Sequence, residues 1–369
     1  MSDTAYHELR RYLDQFPLGF PETESGVEIE ILKRLFSEEE ARLTVTLLPF
    51  PEEVSKIAER LGTEADTLSE QLEAMANKGL LFRMRRQGAA SYRPAPFMIG
   101  LYEYSVKRID KDLAALFAEY YETTYVDEMG VSGVPGFKVI PVEENLAAET
   151  VPLPYQKLKE SIRGARKIAV TDCICRKESR LLGKGCDFPV ETCISFGVAA
   201  EYYIDSGLGR EIATEEAVRI LEETDALGLV HAGANCKHLS NICNCCPCCC
   251  ASMKGITQRG YEKHKYLNAI FEAIVDETGC IGCEVCLERC PVSAIALQEV
   301  ASVDRDKCLG CGLCASICPT DAIRLILRQD REEPFDRTYE MGMAILRRKK
   351  ENLERAIKSV PGAARLKRL

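Results

Sequence analysis

Apolar residues recur at helical spacing through the first quarter of the chain. Val27-Glu-Ile-Glu-Ile-Leu-Lys-Arg-Leu-Phe predicts a helix ending near Ser37, and Glu38–Leu47 predicts a second, stopped by Pro49 and Pro51. Val54, Ile57, Ala58 and Leu61 follow the i, i+3, i+4, i+7 pattern of a helix over Glu52–Leu61, ended by Gly62. Thr63 is placed to cap a fourth helix, through Leu68, Leu72 and Met75 to a stop at Gly79. Residues 80–93 then predict a β-hairpin turning at Gly88. Leu113, Leu116, Phe117, Tyr120 and Tyr121 form an aromatic stripe at helical spacing, read as a core-facing helix.

From Tyr125 to Pro154 the chain carries Gly130, Gly133, Pro135, Gly136, Pro141, Pro152 and Pro154, an irregular connection. Periodicity returns with Arg166–Thr171, a short buried strand, and a helix through Phe196, Ala199, Ala200 and Tyr203. Thr214 is placed to cap a helix with Ala217, Ile220 and Leu221 inward and Gly228 after its end, and 229–231 returns as a strand. The fold class expected is α+β. Five segments follow: 1–96, helices with a hairpin; 97–160, helix and irregular linker; 161–265, a cysteine-rich α/β domain; 266–330; and 331–369, a basic tail. Met341, Ala344, Ile345, Arg348 and Asn352 give that tail an amphipathic helical pattern.

At 369 residues the chain has room for several domains. No apolar run approaches the roughly 18 residues that span a bilayer, and the first residues lack the basic and apolar regions of a secretion signal. Nineteen cysteines without such a signal point to thiols kept free for metal in a reducing, anaerobic cytoplasm rather than to disulfides. The net charge of −9 offers nucleic acid no general attraction.

The cysteines are not scattered. Cys280-x2-Cys283-x2-Cys286-x3-Cys290-Pro291 is followed by Cys308-x2-Cys311-x2-Cys314-x3-Cys318-Pro319. Zinc also uses C-x2-C, but has no need of a third cysteine at the same spacing plus a terminal Cys-Pro, twice over. Each half resembles the C-x2-C-x2-C-x3-C-P run of bacterial-type two-cluster ferredoxins. The resemblance implies two [4Fe–4S] clusters with crossed ligation: Cys280, Cys283, Cys286 and Cys318 on one, Cys308, Cys311, Cys314 and Cys290 on the other. Gly282, Gly310 and Gly312 would let backbone amides approach the cluster sulfurs, and the segments after Val292 and Thr320 would each pass from a short turn into an apolar strand.

A second constellation fills 172–250. Cys173, Cys175, Cys186 and Cys193 precede the run Cys243-Asn-Cys245-Cys246-Pro-Cys248-Cys249-Cys250. Cys243, Cys246 and Cys249 repeat the C-x2-C-x2-C frame, and Cys245 and Cys248 form another, displaced by two residues. Unligated thiols so dense would be an oxidation hazard, so these ten are read as metal ligands for one or two further iron–sulfur clusters, with zinc as the alternative. Cys236 is a further thiol, and Asp172, Glu191, His231 and His238 are candidate non-thiolate ligands or proton carriers. The C-x-C, Glu191-Thr-Cys193 with Phe196-Gly197, the Gly-Leu-Val-His231 and the terminal cysteine run together resemble multi-cysteine ferredoxin-domain proteins of anaerobic bacteria and archaea. That resemblance implies a context, not a reaction.

The order of the first segment loosely resembles winged helix-turn-helix domains. Its would-be recognition helix carries Glu64, Asp66, Glu70 and Glu73, which repel phosphates, and basic residues sit only in the wing, at Arg83, Arg85, Arg86 and Arg93. A protein-interaction or homodimerisation module is therefore expected, with nucleic acid disfavoured. From Arg337 onward ten basic residues face three acidic ones, a pattern suited to a membrane surface, an acidic partner or the protein's own acidic body. No G-x-G-x-x-G or P-loop supports a nucleotide site, so electrons would have to come through a redox partner protein. The expected function is iron–sulfur electron transfer, with a catalytic cluster in 172–250 as the first alternative and a redox-sensing DNA-binding regulator as the second.

Overall fold

The computed structural model describes residues 3–141, 146 and 162–359. It opens with a helix that periodicity did not announce, α1 (Thr4–Leu13), whose buried residues Ala5, Leu9 and Leu13 form a sparse stripe among polar neighbours. Helices α2 (Val27–Leu35) and α3 (Glu38–Thr46) follow. Ser37 separates them: its side chain accepts from the Glu40 amide while the Glu40 carboxylate accepts from the Ser37 amide. The third predicted helix begins later than expected, because Glu52–Glu53 is drawn into a strand, β1, and α4 covers only Val54–Leu61. Helix α5 (Ala65–Asn77) is preceded by Glu64, not capped by Thr63.

The hairpin β2 (Leu81–Arg86) and β3 (Ala89–Pro94) turns at Gln87-Gly88, both with positive φ, and β1 adds to its outer strand. The hairpin is not free. Phe82 packs on Tyr202 with ring centroids 5.0 Å apart, Tyr104 lies 4.8 Å from Tyr202, and Arg85 pairs with Asp205 at 3.3 Å. The exposed ion pair contributes about 0–1 kcal/mol, less than burial of either aromatic ring, so the aromatic cluster holds this face to the middle of the chain.

The middle of the chain is built on a seven-stranded sheet. Its strands are β4 (Phe137–Val139), β5 (Ile168–Asp172), β6 (Glu191–Phe196), β7 (Arg210–Glu211), β8 (Val230–Ala234), β9 (Asn241–Cys245) and β10 (Leu267–Asn268). Their spatial order is β10-β4-β8-β9-β6-β5-β7, antiparallel except for the β10–β4 pair. One core packs Ile168, Val170, Ile194 and Ile242 against Ile220 and Leu221 of the helix Thr214–Ala226. A second, much larger core runs from Leu9, Leu32 and Leu72 through Phe97 and Tyr120 to Cys245, Cys250 and Met253, and ends on Leu309 and Leu313.

Two expectations shift here. Phe196 ends β6 rather than opening a helix, which runs Val198–Asp205. Thr214 is the first helical residue and Ala213 the cap position. The connection expected to be irregular carries β4 of the sheet at Phe137–Val139, and the part of it holding Pro152 and Pro154 lies outside the described residues.

Two small sheets complete the chain: β11 (Phe271–Val275) with β14 (Ile323–Leu327), and β12 (Ile295–Leu297) with β13 (Ala301–Val303), all antiparallel. The long basic helix Thr338–Ser359 is docked on the body: Ile345 is buried, Lys349 pairs with Glu128 at 2.5 Å, and Asn352 donates to the Val131 carbonyl. Among the described residues no helix is long and apolar enough to cross a membrane.

Candidate metal centres

In the C-terminal sheets both cysteine runs fold into tight loops. Cys286 has Cys283, Cys280 and Cys318 as its neighbouring thiols, and Cys314 has Cys311, Cys308 and Cys290. The fourth cysteine of each run therefore stands with the first three of the other. Backbone amides converge on these sulfurs: Ala294 on Cys290 at 3.2 Å, Ala301 on Cys280 at 3.4 Å and Gly310 on Cys308 at 3.4 Å. Gly310 is required there, since its φ is +65° and a Cβ would stand 2.1 Å from the Phe271 carbonyl oxygen. Burial pushes the Cys311 thiol up to about 12, as expected where a thiolate needs a cation beside it to form. Convergent thiols ringed by amide donors fit cubane clusters.

The middle sheet gathers ten more thiols into two sets. Strand β6 lays Cys193 opposite Thr171 at the end of β5, and the chain beyond β5 supplies Cys173 and Cys175 at the start of the helix Ile174–Leu181. Strand alternation on β9 puts Cys243 and Cys245 on one face and Ile242 and Asn244 on the other. Cys250 joins them from the start of the helix Ala251–Thr257. Cys173 lies beside Cys175 and Cys193, Cys193 beside Cys243, Cys243 beside Cys245, Cys245 beside Cys250, and Cys250 beside Cys175. Six thiols thus close a ring. Their neighbours hold Cys173 and Cys243 far below the usual thiol range and push the other four up, because adjacent thiols cannot all ionise.

The other four form a second set, against which Cys175 of the ring packs. Cys246, Cys248 and Cys249 follow the end of β9, and Cys186 reaches them from the loop after the helix Ile174–Leu181; their sulfurs all lie within 4.8 Å of one another. The repeated frame of Cys243, Cys246 and Cys249 is divided between the two sets. Cys236 belongs to neither, and its thiol sits 3.8 Å from the Thr338 hydroxyl.

Between the sets lies a residue that spacing did not single out. Arg176 has no exposure, and its guanidinium donates to the carbonyls of Pro189 and Asn244 and to the Thr192 hydroxyl at 2.8 Å. Burial works against its charge, but Cys173, Cys246 and Cys193 more than offset that and raise its pKa. Cys246 is in turn held down to about 4, first by the Cys249 thiol and then by Arg176. The signal was present in Cys173-Ile-Cys-Arg176, a basic residue one helical turn past the first thiol.

The non-thiolate candidates all have other partners or stand apart. Asp172 pairs with Lys177 at 3.3 Å, and Glu191 with Arg210 at 2.7 Å. His231, buried, bonds through Nδ1 to the Asn244 side-chain oxygen at 2.6 Å. His238 is exposed on the wall of a cleft of about 1910 Å³. That cleft is lined by Phe82, Met98, Tyr339 and Glu103 and reaches Cys193 and Cys243 of the ring. Burial pushes the Glu103 carboxyl up to about 8 although the Gly100 amide donates to it at 2.8 Å.

A family model described as a 4Fe-4S dicluster domain matches residues 273–325. No curated protein and no solved structure matches the chain. The dicluster domain implies two [4Fe–4S] clusters, and the eight cysteines of 280–318 lie within the matched residues.

Proposed function

We propose that this protein carries electrons between a redox partner protein and metal centres in its own middle sheet. The observation that supports this most is continuity. Leu309 and Leu313, in the loop of Cys308, Cys311 and Cys314, share one buried core with Cys245 and Cys250 of the six-thiol ring. The joint is also pinned by polar contacts: Lys263 donates to the Cys308 and Arg305 carbonyls at 2.5 and 2.7 Å, and Arg289 to the Ala226 carbonyl at 2.9 Å. A packed, water-excluding joint of this kind supports transfer within one chain. Bound clusters supply one-electron chemistry; the chain's residues fix where they sit and what surrounds them.

In this reading Cys280, Cys283, Cys286 and Cys318 hold one cluster, Cys308, Cys311, Cys314 and Cys290 the other, and the ring holds further iron and sulfide. Anaerobic stopped-flow reduction of full-length protein tests it. Cys311→Ser is expected to slow reduction of the middle centre by at least about tenfold while leaving its iron content unchanged. Equal rates in the variant would sink the proposed route.

The cleft favours a second reading, in which the ring reduces a small, largely apolar molecule bound against Cys193 and Cys243. An anaerobic screen of reduced protein for catalytic oxidation by small organic acceptors separates the two: turnover that falls on narrowing the cleft with Met98→Trp supports it, and absence of any turnover leaves electron transfer alone.

A DNA-binding role gains no support from the hairpin. Arg83 is buried against Glu73 at 2.5 Å, Arg85 pairs with Glu73 and Asp205, and Arg93 lies over the Phe82 ring at 5.2 Å. Fluorescence anisotropy at low salt is expected to show no submicromolar, sequence-selective binding; observing it would restore the regulator. The first segment is better suited to contacts between protein surfaces, including a homodimer.

A further inference from the structure

The ten middle thiols differ in spacing as well as in position. Sγ–Sγ separations in the smaller set include 3.9 Å for Cys186–Cys246, 3.7 Å for Cys186–Cys249 and 3.7 Å for Cys248–Cys249. A tetrahedral ion bonded to four thiolates at about 2.3 Å sets its sulfurs about 3.8 Å apart. Thiolates that each cap a different iron of a cubane are splayed outward by the cluster between them, and four such sulfurs do not fit within 4.8 Å of one another.

We propose that Cys186, Cys246, Cys248 and Cys249 hold one tetrahedrally coordinated metal ion, zinc or iron, and not an iron–sulfur cluster. The proposal does not depend on electron transfer and stands or falls separately from it. Four protein thiolates leave such an ion no open position, which is the arrangement of a structural site. Its location gives it a structural task. It ties the loop carrying Cys186 to the turn that follows β9, and Leu229 and Phe188 pack against the same sulfurs. The Arg176 guanidinium, beside Cys246, offsets part of the charge that four thiolates bring to one ion. Cys248 is the exposed corner, while Cys246 and Cys249 are buried. The ion therefore lies at the protein surface with its inner side closed.

The test uses full-length protein purified anaerobically, with zinc, iron and acid-labile sulfide measured per chain, beside the double variant Cys186→Ala/Cys248→Ala. Loss of one equivalent of zinc with iron and sulfide unchanged supports the proposal with zinc as the ion. Loss of one equivalent of iron with sulfide unchanged supports it with iron. Loss of iron and sulfide together, in about the ratio of a cubane, overturns it, as does a variant whose metal content does not change. Should the double variant not fold, wild-type protein produced with cobalt(II) supplies the second readout. Visible absorption typical of tetrahedral cobalt thiolate supports the single-ion site, and protein lacking both that absorption and any zinc or sulfide-free iron overturns it.

Discussion

Replacing Cys318 by alanine is expected to remove the cluster built on Cys280, Cys283 and Cys286, although Cys318 belongs to the other sequence run. The geometry is direct: Cys286 has Cys318 beside it together with Cys280 and Cys283, while Cys314 has Cys290. Burial raises the Cys318 pKa, but this is outweighed by the Thr320 amide and hydroxyl and by the Ala322 and Ile323 amides, so its thiol is held low. Such donors favour a thiolate at this place. Anaerobic protein should lose about four of the irons attributable to the dicluster domain, and the EPR of the reduced protein should change from that of two interacting centres to that of one. If the signal of the Cys308–Cys314 centre disappears instead, the ligation is not crossed.

The dicluster region was legible because its ligands are local. Three of each four cysteines lie in one short loop, so spacing carries nearly all the information, and the fourth is marked by its proline. The six-thiol ring was not legible in that way. Its members come from the end of β5, from within β6, the face of β9 and two helix starts, and sheet order decides their meeting. Counting positions along Cys243–Cys250 suggests frames of three; strand alternation keeps Cys243 with Cys245, and the chain leaves the strand before Cys246. In the first segment, α2 to α5 and the hairpin followed from apolar period and glycine positions, while α1 did not. The covering of the hairpin by Tyr202 and Asp205 did not, since that contact joins residues about 120 positions apart. The basic tail was readable as a helix but not as one docked on Glu128.

Loss of Arg176 is expected to destabilise the middle sheet. A guanidinium cannot shed its proton on burial as a lysine can, so a fully buried arginine persists only where anions and acceptors surround it. Here carbonyls, the Thr192 hydroxyl and thiols from both sets do so. The dependence runs both ways, because the thiolates would repel one another without the cation. Arg176→Met, close in length but uncharged, leaves those thiolates and three acceptors without their donor. The expected cost is about 3–5 kcal/mol, the range for removing one partner of a buried ion pair. Denaturant unfolding of the anaerobic protein should show that loss, and the metals of both middle sets should fall together. The dicluster EPR signal should persist, since its ligands lie outside this network. Arg176→Lys keeps the charge but not the fork that reaches Asn244, Pro189 and Thr192 at once, and is expected to restore only part of the stability. If Arg176→Met retains its metals and unfolds at the wild-type denaturant midpoint, then the thiols of the two sets do not need a buried cation, and the coupling between the two sets through this side chain is wrong.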